Sequence, residues 1–134
     1  MRVLADTTAL IAARRGRPAP SALFRELAED ELWICDVVRL EVLRGARSVR
    51  EMATLRAELD EVASAPIDEH VWKRTEEVYA GLARLQGGRH RGVQPTDVLV
   101  AAAAEAQDLV VLHDDAHFDL IAEVTGQEML RLPT

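Results

Sequence analysis

The chain has 134 residues, 49% of them hydrophobic, with a formal net charge of -7 and a mean hydropathy of -0.05. That size fits one domain, residues 1–134, built on one sheet covered by helices. The negative total argues against a protein that coats nucleic acid electrostatically. No apolar run is long enough to span a bilayer. Cys35 stands alone, so no intrachain disulfide can form. Asp6 interrupts the N-terminal apolar run and the arginines follow it, which is not a signal-peptide pattern. Together these point to the cytoplasm.

Short β-like runs alternate with longer helical ones, the pattern of a parallel sheet with crossover helices. A first strand is expected over Arg2 to Ala5, then a short helix from Thr7 to Ala13 that the turn Arg15-Gly16-Arg17-Pro18 breaks. A second helix is expected from Ser21 to Glu29 with Ser21 as its N-cap. Leu32 to Cys35 forms the next strand, and Asp36 caps a helix from Val37 to Arg44 that Gly45 ends. A charged helix follows over Ser48 to Glu61, with Met52, Leu55 and Leu59 on one side. Val62 to Ala65 reads as a weak strand before Pro66.

From Asp68 to Gln86 the residues Val71, Val78, Leu82 and Leu85 recur at helical spacing, a stripe for the core or for a second copy. The Gly87 to Gly92 segment, with Arg89, His90 and Arg91, reads as a mobile loop. A further helix runs from Thr96 to before Asp108, then a strand from Leu109 to His113. A short helix over Phe118 to Val124 and a last strand at Glu128 to Leu132 close the chain.

Four carboxylates sit where hydrophobic elements end or turn their buried faces. Asp6 and Asp115 follow the strand-like runs Val3-Leu4-Ala5 and Leu109 to His113. Asp6 also suits an N-cap, and of the Asp114–Asp115 pair strand alternation sends one to the sheet edge. Glu41 shares a helical face with Val37 and Val38, opposite Arg39. Asp97 lies in the first turn of its helix, where the macrodipole favours an anion, on the same face as Val100, Ala101 and Ala104. His117 and Asp119 read as surface residues.

Acids aimed at apolar surroundings must be neutralised by a proton, a base or a cation. In open α/β sheets the C-terminal strand edge is where ligands bind. An oxygen-rich cluster without grouped Cys or His ligands favours Mg²⁺ or Mn²⁺ over Zn²⁺, and such ions suit phosphodiester hydrolysis. The basic residues are arginines except Lys73. They cluster at Arg14, Arg15 and Arg17, and again at Arg39, Arg44, Arg47 and Arg50, where bidentate contacts to phosphate are within their chemistry.

Four segments together resemble the PIN-domain endoribonucleases, specifically the VapC toxins of VapBC toxin–antitoxin systems. They are Leu4-Ala5-Asp6-Thr7-Thr8-Ala9-Leu10-Ile11, Val38-Arg39-Leu40-Glu41-Val42-Leu43-Arg44-Gly45, Pro95-Thr96-Asp97-Val98-Leu99-Val100-Ala101-Ala102-Ala103 and Val111-Leu112-His113-Asp114-Asp115-Ala116-His117-Phe118-Asp119. They occur in the family's order and span almost the whole chain.

The resemblance implies a three-layer α/β/α fold with a central parallel sheet of four to five strands. It makes Asp6, Glu41, Asp97 and Asp115 the catalytic, metal-binding acids, with Thr7 and His113 in support. Asp115 is preferred to Asp114 by its distance to Phe118, and His117 stands where the family commonly has an acid. Mg²⁺ as cofactor with Mn²⁺ as substitute, RNA as substrate, a homodimer and a VapB-type antitoxin that fills the cleft are further implications. Arg14, Arg15, Arg17 and Arg44 are the candidates for RNA contact.

Two other readings are open to the residues. A receiver-like regulatory domain also holds Mg²⁺ among acids, but it needs a lysine at a late strand end, and Lys73 lies in a helical pattern. A catalytically silent PIN-like binding domain would not need all four acids.

Overall fold

Five short runs become five parallel strands; the central three are apolar and largely buried, as a helix-covered parallel sheet requires, while the two edge strands are partly exposed. In the computed structural model, which describes residues 1–85 and 87–134, the strands are β1 (Val3–Ala5), β2 (Leu32–Cys35), β3 (Ala63–Ala65), β4 (Val110–His113) and β5 (Met129–Arg131). Their order across the sheet is β3-β2-β1-β4-β5. Val3 pairs with Leu32 on one side and Val110 on the other.

The helices are α1 (Thr7–Arg14), α2 (Pro18–Glu26), α3 (Asp36–Arg44), α4 (Val49–Asp60), α5 (Glu69–Arg84), α6 (Pro95–Ala106) and α7 (His117–Thr125). From β1 the chain steps to β2 and β3, then returns across the sheet to β4 and β5. Right-handed crossovers therefore place the helices before β3 and those after it on opposite faces. Consistent with this, α1 packs on α2 and α3, α3 on α4, and α5, α6 and α7 on one another. Among the described residues no helix is long and apolar enough to cross a membrane.

The core runs through β1, β4 and α6. Val98 through Ala104 are buried on every side of α6, as expected of a helix hydrophobic all round. The stripe Val71, Val78 and Leu82 is core, fully covered by neighbouring helices. Leu55 and Leu59 of α4 are buried, while Met52 is exposed.

Several local expectations are corrected. Helix α2 starts at Pro18, not Ser21: proline at the first helical position has φ pre-set and loses no needed N–H. Ser21 lies inside the helix, its hydroxyl donating to the Ala13 carbonyl at 3.2 Å. Asp36 is the first residue of α3, not its cap; Cys35 holds the cap position without a side-chain bond. Ser48 and Asp68, the first residues of the expected helical stretches, stand at the N-caps of α4 and α5. Gln86, the expected end of the α5 helix, lies outside the described residues.

The segment that reads as a mobile loop contains an ordered 3₁₀ turn, Arg89–Gly92. The Tyr79 hydroxyl of α5 donates to the Val93 carbonyl at 2.7 Å and ties that turn down. Trp72 of α5 is 55% exposed.

Candidate metal centre

The reversal of strand order between β1 and β4 leaves a crevice at their C-terminal ends. Asp6 directly follows β1, and Asp114 and Asp115 follow β4, so chain order alone brings them to one edge. The join is tight: the Asp6 N–H donates to the Leu112 carbonyl at 2.9 Å. Helix α6 packs against β1 and β4 and also touches α3. Its first turn sets Asp97 above the same crevice, and α3 brings Glu41 in from the side.

Asp6 is only 3% exposed. It caps α1, as its sequence position allows, accepting from the Thr8 N–H at 3.4 Å. The Thr8 hydroxyl donates to the same carboxylate oxygen at 2.8 Å and accepts the Asp114 N–H at 3.3 Å. A two-residue step after an N-cap thus stitches β1 to the β4 exit. The family resemblance points to Thr7 as the polar helper here. Thr7 is buried close to Glu41, but its hydroxyl lacks a hydrogen bond of normal geometry; Thr8 makes the direct contact to Asp6.

Burial pushes Asp97 up to about 7, and the charges of Asp6, Asp115 and Glu41 add to the shift. Asp6 is raised by burial, against the pull of its Thr8 bonds. Glu41 is raised by burial and then by Asp6. Neighbouring negative charge thus makes Asp6, Glu41 and Asp97 harder to ionise. Such a group is in want of positive charge.

Asp97, Asp115 and His117 each offer a donor atom, and the three lie within 4.8 Å of one another. His117, which reads as a surface residue, is partly exposed and also reaches this cluster. Its backbone N–H donates to Asp115 Oδ1 at 2.9 Å, and its Nδ1 sits 3.5 Å from that oxygen. The signal that could have found it was the two-residue spacing Asp115 to His117 at a helix start, where side chain and backbone fold back together.

His113, expected in support, is wholly buried at the end of β4. Its Nδ1 accepts the Asp115 N–H at 3.2 Å, and its ring lies 5.0 Å from that of Phe118. Desolvation lowers its affinity for a proton, so the neutral ring serves as an acceptor that fixes the Asp115 backbone.

Asp114 faces the other way, as alternation predicts. It lies 3.4 Å from Arg17 and 3.8 Å from Arg131. Asp119 lies 3.6 Å from Arg131 and is exposed. These pairs neutralise the outer acids.

Of the candidate arginines for RNA contact, Arg14 pairs with Glu58 and Arg17 with Asp114. Arg44 is exposed and close enough to Glu41 to favour its ionised form. Arg14, Arg15 and Arg47 line one open pocket together with Ile11, Leu55, Glu41 and Glu51. Lys73, which a receiver-like reading requires at a strand end, is on α5 beside Glu69 at 3.5 Å.

The donor chemistry fits a hard divalent cation: several carboxylates with raised proton affinity share one crevice, and no lysine enters it. Comparison with known proteins agrees. The PIN domain family's profile matches residues 3–124. Ribonuclease VapC18 of Mycobacterium tuberculosis is 40% identical over 101 residues, covering 75% of this chain and 74% of the relative. Ribonuclease VapC51 of the same organism is 37% identical over 131 residues, covering 95% and 90%.

Among solved structures, DNA-bound VapBC from Salmonella typhimurium superposes with a TM-score of 0.75 over 98% of both chains at 20% identity. FitAcB from Neisseria gonorrhoeae gives 0.71 over 96% of both at 15% identity. Those two likenesses speak to the fold; the profile and the curated relatives carry the descent. The chain belongs to the PIN-domain family, among the VapC ribonucleases.

Proposed function

We propose that this protein is the toxin of a type II toxin–antitoxin pair, a divalent-metal-dependent endoribonuclease that hydrolyses RNA phosphodiesters. The observation that carries the reading is the convergence of Asp6, Asp97 and Asp115 at the β1–β4 crevice, with Asp97 raised to about 7. The named activity of the VapC relatives supports it, and solved neighbours are toxin–antitoxin complexes.

Asp6, Asp97 and Asp115 would hold the cation, with Mg²⁺ as the working ion and Mn²⁺ as its substitute. When bound, the cation supplies positive charge for the phosphate and makes water a better nucleophile at neutral pH. Thr8 fixes the Asp6 carboxylate and His113 fixes the backbone of Asp115, so that neither acid reorients during the reaction. Glu41 stands at the rim with raised proton affinity and receives the proton of the attacking water at its carboxylate. Arg15 and Arg44 hold the RNA backbone beside the acids, and Arg14 joins them when its bridge to Glu58 opens.

The toxin works in the cytoplasm as a homodimer, and a VapB-type antitoxin neutralises it by filling the acidic crevice, a basic side chain taking the place of the cation. Chelation tests the reading. EDTA should silence cleavage of an RNA substrate, and Mg²⁺ or Mn²⁺ should restore it. Cleavage that persists in EDTA would overturn it.

A further inference from the structure

His117 is the one nitrogen donor that reaches the acid cluster with Asp97 and Asp115 among the described residues. Its Nδ1 is buried and has no hydrogen-bond partner among those residues. The nearby Asp115 Oδ1 already accepts the His117 backbone N–H at 2.9 Å, and at 3.5 Å from Nδ1 it does not form a proper bond with the ring. A buried imidazole nitrogen without a partner costs free energy, on the order of 1–3 kcal/mol. The side chain as a whole is 39% exposed. The ring therefore turns its buried Nδ1 edge toward Asp115.

We propose that His117 Nδ1 binds the cation directly, making the centre a mixed nitrogen–oxygen site whose affinity for Mn²⁺ relative to Mg²⁺ is higher than that of an all-carboxylate site. This rests on the metal-dependent reading above. Mg²⁺ binds oxygen and gives up water reluctantly, whereas imidazole suits transition ions. An all-carboxylate site gains nothing from that difference; one imidazole arm shifts the ratio toward Mn²⁺. His113 cannot substitute, because its Nδ1 is occupied by the Asp115 N–H and its Nε2 lies toward Asp119, 3.9 Å away.

Mn²⁺ itself is the probe. Electron paramagnetic resonance of the whole protein titrated with Mn²⁺ counts bound ions, and pulsed measurement detects a coordinated nitrogen nucleus. The wild type should show imidazole nitrogen coupling, and His117→Gln should lose it and bind Mn²⁺ roughly tenfold more weakly or worse. His117→Asp should bind Mg²⁺ at least as well as the wild type while its affinity for Mn²⁺ relative to Mg²⁺ falls. Mn²⁺ bound to the wild type without nitrogen coupling would overturn the assignment and leave the nuclease reading standing. So would coupling that survives in folded His117→Gln. No Mn²⁺ uptake by the wild type would overturn both.

Discussion

The Thr8 hydroxyl donates to Asp6 Oδ2 at 2.8 Å, and through its other side it holds the backbone of Asp114. One small side chain therefore locks the exits of the two central strands to each other. Thr8→Val keeps the shape and removes both bonds. Cleavage is expected to fall about tenfold or more, the loss typical of a hydrogen bond to a charged group, with a stability loss near 1 kcal/mol. Thr8→Ser should retain most activity. Steady-state cleavage rates and thermal melts on the three proteins check this, and an unchanged Thr8→Val rate would remove Thr8 from the site.

Asp97 links the cluster to pH. Its carboxyl is raised from 3.8 to about 7 in the fold, so between those values the folded protein binds more protons than the unfolded chain. Metal-free stability should therefore fall as pH rises from about 4 to about 7 and level off above. Asp97→Asn should raise the metal-free melting temperature at pH 7.5, by about 5 °C for roughly 1–2 kcal/mol. For the same reason Mg²⁺ or Mn²⁺ should raise the wild-type melting temperature more at pH 7.5 than at pH 5.5. Calorimetry across pH, with and without the ion, reads both effects.

Gly81 lies inside α5, where glycine costs about 1 kcal/mol relative to alanine. The packing explains it: a Cβ at Gly81 would meet Val124 Cγ1 of α7 at 2.4 Å. Valine is stiff at χ1 and cannot swing clear cheaply. Gly81→Ala should destabilise the protein by about 1–3 kcal/mol, and adding Val124→Ala should recover part of that. Urea denaturation of the single and double variants decides it.

The arginines are distinguishable by their present partners. Arg15 and Arg44 are exposed and form no ion pair of 4 Å or less among the described residues, while Arg14 and Arg17 are already matched to Glu58 and Asp114. Charge reversal at Arg15 or Arg44 should weaken RNA binding and lower the salt slope by about 0.7 for each phosphate that is no longer neutralised. Reversal at Arg14 should do less. RNA affinity measured against salt concentration separates these; equal affinity in all variants would clear the arginines of any role.

Much of this architecture is legible in the sequence because the signals are local. Apolar runs of strand length ending in Asp6 and Asp115 announce both the sheet and its functional edge, and the inward face of α3 singles out Glu41. What escapes depends on contacts across the chain. Tyr79 orders the Gly-rich segment from another helix. Pro18 overrides Ser21 as the start of α2. His117 looks like a surface residue because only the turn from β4 into α7, held by the Asp115 side chain, folds its ring edge toward Asp97.

The most direct test is RNA cleavage by Asp6→Asn and Asp97→Asn proteins beside the wild type at saturating Mg²⁺, after melts show that all three are folded. Loss of roughly three orders of magnitude or more in both variants is expected, since asparagine keeps the shape and removes the charge that holds the ion. Wild-type rates from either variant would contradict a metal centre at the β1–β4 crevice.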